Sequence, residues 1–207
     1  MVLSQDSIVY FDRHGVGDGP YIVQKGKINI ESGFAYSPYF GIESAYVPGI
    51  LSRFQLTPKS ELRLMYNYSP QSLNFMIDSY YNDYTHGSVG FKRNLARTPK
   101  RFADIAMIAN VYYPLRELGN FEMNNIRSDV YLVFEHNHPN GSYINYSVGY
   151  IYGGESLKDM LQWSFAGNLV VRKFLIFAEY FGYYNIYNSY EDAEFGFDAG
   201  IIYEFNG

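Results

Sequence analysis

Ten ionisable residues fall where a two-residue alternation turns them toward one side of the chain: Lys27, Glu31, Arg53, Glu61, Arg63, Lys92, Asp104, Glu135, Glu179 and Asp198. Acids and bases are mixed. Such a set can lock itself into ion pairs, as a closed interior requires because a lone buried charge is costly. It can also line a polar pathway whose constriction selects solutes. The bases Arg53, Arg63 and Lys92 lie on the second, third and fourth candidate strands, whereas Glu31, Glu61, Glu135 and Glu179 fall on the first, third, sixth and ninth.

Other chemistry finds little support. His14, His86, His136 and His138 sit at ends or turns, and no Ser-containing motif marks a nucleophile beside them. His136 and His138 flank Asn137 at a tight turn, which falls short of a metal-ligand set. The run Gly15-Val16-Gly17-Asp18-Gly19 lacks the preceding strand and following helix that a phosphate loop needs. Loop acids such as Asp78, Asp83, Glu117, Glu155 and Asp159 have no calcium-loop spacing and read as solvated, or as sites where divalent cations bridge lipopolysaccharide. The absence of Cys excludes disulfides, zinc thiolates and thiol catalysis. We therefore expect no catalytic residue, no metal and no cofactor. A net charge of −5 without a dense basic cluster argues against nucleic acid.

The elements that must position the charges are strands. The chain has 23 Tyr and 16 Phe in 207 residues, an aromatic content suited to a surface greasy on one side and wet at its rim. The mean hydropathy, −0.22, is too polar for a helical membrane protein, and no run of 18 apolar residues exists. Period-two alternation recurs instead. Leu62, Leu64, Tyr66 and Tyr68 oppose Glu61, Arg63, Met65 and Asn67; Ile28, Ile30, Phe34 and Tyr36 oppose Lys27, Asn29, Glu31 and Gly33. Val89, Phe91 and Leu95 oppose Ser88, Gly90, Lys92 and Asn94. Leu161, Trp163, Phe165, Leu169 and Val171 oppose Gln162, Ser164, Ala166 and Asn168. Phe195, Phe197, Ala199, Ile201, Tyr203 and Phe205 oppose Gly196, Asp198, Gly200 and Glu204. The polar faces mix small residues with opposite charges, as a confined interior would. The apolar faces carry almost no charge; Arg93 is the exception, near a strand end where it can snorkel.

This pattern predicts ten strands near 26–37, 43–56, 60–69, 86–96, 101–113, 126–137, 142–152, 160–171, 174–183 and 194–205. Tight turns are expected at Thr57-Pro58-Lys59, Thr98-Pro99-Lys100, Pro139-Asn140-Gly141 and Arg172-Lys173. Longer polar connections are expected around 70–85, 114–125, 153–159 and 184–193, with room for added strand pairing at Ser72–Ile77. Alternation of short and long connections is the habit of outer-membrane barrels, with the long loops outside. The expected fold is all-β: a transmembrane up-and-down antiparallel β-barrel of about ten strands at 26–207, twelve if the chain is a truncated longer barrel. Residues 1–25 would be an N-terminal periplasmic segment, with any export signal already removed.

Several stretches resemble a known family. Asp12-Arg13, Pro20-Tyr21-Ile22-Val23-Gln24-Lys25-Gly26, Ile30-Glu31-Ser32-Gly33, Val89–Leu95, Ala103–Pro114, Phe177-Ala178-Glu179-Tyr180 and Asp198–Tyr203 are similar to motifs of bacterial outer-membrane proteins described as transporters of the phenol meta-degradation pathway. His14 departs from that family, which often has Pro after Asp-Arg. The resemblance implies passive transport of small molecules, aromatic or apolar ones included, through a narrow polar lumen in the outer membrane of a Gram-negative bacterium. The alternative is a non-transporting structural or accessory barrel that binds a partner protein through its outer loops. In either case the surroundings would be outer-membrane lipid and lipopolysaccharide, and the protein would not be an enzyme.

Overall fold

In a computed structural model, the described residues are 18–39, 42–74, 79–96, 103–118, 126–153, 159–172, 174–186 and 193–203. They form ten strands: β1 (Ile28–Tyr39), β2 (Ile42–Thr57), β3 (Ser60–Asn74), β4 (Ser79–Ala96), β5 (Asp104–Leu118), β6 (Arg127–Asn137), β7 (Tyr143–Tyr152), β8 (Met160–Val171), β9 (Phe174–Asn185) and β10 (Ala193–Tyr203). All belong to one antiparallel sheet in sequence order. The all-β up-and-down class expected from the alternation is the one observed. The sheet is open: among the described residues no pairing joins β10 back to β1.

Burial runs opposite to that of a soluble sheet. On β8 the exposed residues are Leu161, Phe165, Leu169 and Val171, while Gln162, Ser164, Ala166 and Asn168 are buried. On β3 Leu64 and Tyr66 are exposed and Glu61 and Arg63 buried. A single layer buries one of its faces only by curling around it or by being covered. Here it does both. The polar side is concave, and residues 20–23 lie against it, with Pro20, Tyr21 and Val23 buried. The convex side presents exposed apolar residues on every strand whose side chains are described, reaching 70% for Phe197. Tyr113, Tyr150, Tyr152 and Tyr184 sit on that side toward the ends with long connections.

The turns follow from local chemistry. Pro58 and Lys59 link Thr57 to its partner Ser60, with the Thr57 and Ser60 hydroxyls 2.7 Å apart. In the β6–β7 turn Gly141 takes φ +88°, a conformation costly for residues with a Cβ, and Asn140 Oδ1 accepts from Ser142 N at 2.9 Å. Arg172 carries the β8–β9 turn at φ 57°. The expected turn at 98–100 lies outside the described residues.

One expectation needs correction. Residues 70–85 are largely not a loop, because β3 and β4 stay paired from Asn67↔His86 to Asn74↔Ser79. β5 likewise continues to Leu118, opposite Asp83. Tyr and Thr favour strands whatever their polarity, so a stretch rich in them looks like a loop by hydropathy and behaves as a strand. Pro114 is accommodated beside a register shift at Thr85/His86, the kind of bulge where a strand tolerates proline.

Candidate functional site

The candidate site is the concave polar face, and Glu61 is its hub. Arg53 Nε donates to Glu61 Oε1 at 2.9 Å and Arg53 Nη2 to Glu61 Oε2 at 3.1 Å, a bidentate pair. Arg63 Nη1 and Lys92 Nζ approach the same Oε1 at 3.6 and 3.9 Å. Arg53, Glu61 and Lys92 are all 0% exposed. Register explains the hub. Arg53 stands directly opposite Arg63 across β2–β3, and Glu61 opposite Lys92 across β3–β4. Facing like charges repel, so one carboxylate one step along the strand holds three cations together. Glu31 adds a second anchor, accepting from Arg53 Nη1 at 3.0 Å.

The segment before β1 completes this cluster. Val23 N donates to Glu61 Oε2 at 2.9 Å, Arg53 Nη2 donates to the Tyr21 carbonyl at 3.0 Å, and Asn94 Nδ2 to the Pro20 carbonyl at 3.4 Å. Arg63 Nη2 donates to Asp18 Oδ1 at 3.1 Å. The Tyr21 hydroxyl donates to Asp104 Oδ2 at 2.9 Å and accepts from Asn137 Nδ2. Burial, with Glu135 and Asp104 beside it, pushes the Tyr21 phenol well above its ordinary range, so it remains a donor. Asp104 and Glu135 are directly opposed across β5–β6. Tyr21 thus ties the acidic pair, through Asp104, to the same segment that the cationic cluster holds.

Across the interior, β7–β10 are of another kind. The Ser147 and Ser164 hydroxyls are 2.9 Å apart, Asn168 Nδ2 donates to Asn145 Oδ1 at 3.1 Å, and the Tyr131 hydroxyl of β6 donates to Gln162 Oε1 at 3.1 Å. Phe181 lies over Gly196 and Phe177 over Gly200: a Cβ on either glycine would come within 2.2 and 2.5 Å of the ring above it.

Most of the ten residues singled out in the sequence meet on this face. Arg53, Glu61, Arg63, Lys92, Glu135 and Glu179 are buried, and Glu31 and Asp104 are half-buried within the network. Two differ. Lys27 is exposed, because it precedes β1 in a turn where its N–H bonds the Gln24 carbonyl at 3.0 Å and strand alternation does not reach it. Asp198 shares the inner face through its register with Glu179 but is exposed on the edge strand β10. Sequence reasoning missed Asp18, Tyr21, Asn94 and Asn137, and also the Asn110–Asp129 pair, in which Asn110 Nδ2 donates at 2.7 Å. Asp129 has the same parity as Glu135, so its position was readable. Residues 18–23 precede the first strand, and their contacts lie 32 to 116 positions away in the chain.

His136 and His138 are engaged locally. His136 Nε2 is 3.2 Å from the Tyr146 hydroxyl, and His138 Nδ1 is 2.9 Å from Asn140 Oδ1. Beyond the chain itself, no protein-family model, no curated protein and no solved structure matches this sequence.

Proposed function

We propose that this chain is a bacterial outer-membrane β-barrel that passes small molecules through its narrow polar interior, and that the β1 and β10 edges, unpaired among the described residues, close on each other in the membrane. The observation that carries the reading is the inverted burial: charged residues fully enclosed on one face, and exposed aliphatic and aromatic residues on the other. In water such an exterior would be an aggregation surface far larger than a monomer normally shows. In a bilayer it is the lipid-facing belt, with tyrosines toward one rim as in membrane barrels. Closure of ten antiparallel strands would remove both sheet edges. Around eight strands a barrel interior is just filled by side chains, and open aqueous pores need ~16–18, so ten leave a restricted path. The short motifs that resemble those of the phenol-pathway transporters make aromatic and apolar solutes the first class to try.

A second reading is favoured by the interior's own occupancy. A lumen filled by ion pairs and by residues 20–23 also suits a silent barrel that binds a partner through its outer connections. The test is conductance in planar bilayers, with candidate solutes as blockers, after folding into lipid vesicles monitored by heat-modifiable gel migration. Discrete ion-conducting steps support transport. A well-folded barrel that never conducts and co-purifies with another protein supports the accessory role.

A further inference from the structure

We infer that residues 18–23 form a releasable strap, bound by the inner wall of β2–β6, that closes one mouth of the interior. Three observations carry this. First, the wall grips the strap by its main chain as well as by the Asp18 and Tyr21 side chains: Glu61 takes the Val23 N–H, Arg53 the Tyr21 carbonyl and Asn94 the Pro20 carbonyl. Residues 18–23 belong to no strand. Their release therefore breaks side-chain bonds and leaves the sheet's ladders intact. Second, the strap brings a carboxylate to the cluster: Arg63, which approaches Glu61 Oε1 at 3.6 Å, also donates to Asp18 Oδ1 at 3.1 Å. Third, the fastening is graded. The Arg63–Asp18 pair has side chains 8% and 18% exposed, whereas the bonds that hold Tyr21 and Val23 end on Arg53 and Glu61, both 0% exposed. The fastening nearer water is the one more easily replaced by solvent, so release begins at Asp18 and proceeds toward Tyr21. Gly26, at φ +76° in the turn before β1, lets the chain reverse there and gives the strap its pivot.

Release would uncover Asp104 and Glu135, which Tyr21 covers, and open the mouth between the two walls. That consequence rests on the transport reading; the strap itself does not. The chain has no Cys, so Val23→Cys places a single thiol on the strap. In full-length protein folded into phosphatidylcholine vesicles, a charged thiol reagent should label it slowly. Adding Asp18→Asn with Tyr21→Ala, both outside the strands, should raise the labelling rate at least tenfold, because the Asp18 charge and the Tyr21 bonds to Asp104 and Asn137 are lost together. Tyr21→Phe, which removes only the hydroxyl, should give a smaller rise in the same direction and guards against misfolding of the double variant. Bilayer conductance should rise in step with labelling. Unchanged labelling in both variants overturns the strap. Faster labelling without any conductance supports the strap and overturns transport.

Discussion

The two walls of the interior solve the same problem by different means. β2–β6 bury a dense set of charges held by one another and by the strap; β7–β10 line the same space chiefly with hydroxyls, amides, glycines and rings, with Glu179 as a buried carboxylate among them. A bidentate ion pair tolerates little movement, because separating it leaves two charges in a poor solvent. A Ser–Ser contact or an aromatic ring over glycine is worth far less and gives way easily. The comparison teaches that the charged wall fixes the shape of the interior, whereas the neutral wall is where a passing solute would find room.

The largest effect should come from breaking the hub. Glu61→Ala leaves Arg53, Arg63 and Lys92 buried without their common partner, and removing one member of a buried pair typically costs about 3–5 kcal/mol. Denaturant unfolding of vesicle-folded protein measures it. A loss below ~1 kcal/mol would mean that the charged wall is not what fixes the interior.

Both walls presuppose the register, and Leu64 with Met65 tests it. Leu64 is exposed on the convex face of β3 and Met65 half-buried on the inner one. Leu64→Arg should cost roughly 2–4 kcal/mol of folding free energy in lipid, as Arg does at mid-membrane. Met65→Arg should cost less. Folding yield read from heat-modifiable migration decides; the reverse order would mean a one-residue slip of the strand.

Gly149 joins the walls. The Tyr131 ring of β6 lies across it to reach Gln162 on β8, and a Cβ there would stand 2.1 Å from ring carbon Cδ1. Gly149→Ala should cost about 1–3 kcal/mol through overpacking. Gly167→Ala on the convex face, where a Cβ meets nothing within 4 Å, should be neutral or stabilising. The same unfolding assay compares them, and equal effects would remove the packing argument.

The smallest effect belongs to the neutral wall. Ser164→Ala removes half of the Ser147–Ser164 contact and should cost about 0.5–1.5 kcal/mol. A loss as large as that of Glu61→Ala would erase the distinction between the walls.

Much of this was legible in the sequence. The ten strands follow from period-two alternation, clearest on five of them, together with the spacing of turns and longer connections, since a strand with two unlike faces must write that period into its residues. The charged wall was legible for the same reason: Arg53, Glu61, Arg63 and Lys92 have the right parity on strands with clean apolar faces. Three things were not, or only in part. The extension of β3 and β4 through Asn74 and Ser79 was legible only as room for pairing at Ser72–Ile77, because its Tyr, Ser and Asn residues carry little hydropathic contrast. The exposure of Asp198 depends on whether β10 has a second neighbour, which parity does not encode. The strap was hidden because Tyr21 meets residues on β5 and β6 through tertiary folding alone, and the run Pro20-Tyr21-Ile22-Val23 has no period to interpret.

The central claim is that the convex face meets lipid, and Trp163 reports on it without substitution. It is the single tryptophan, on the convex face of β8, edge-on to Tyr180 at 5.2 Å and tilted toward Phe195 at 6.2 Å. Fluorescence of the vesicle-folded protein with lipids brominated along the acyl chain, and with aqueous iodide, measures its surroundings. The account predicts strong quenching by brominated lipid and little by iodide. Efficient quenching by iodide with none by brominated lipid would place this face in water and contradict the account.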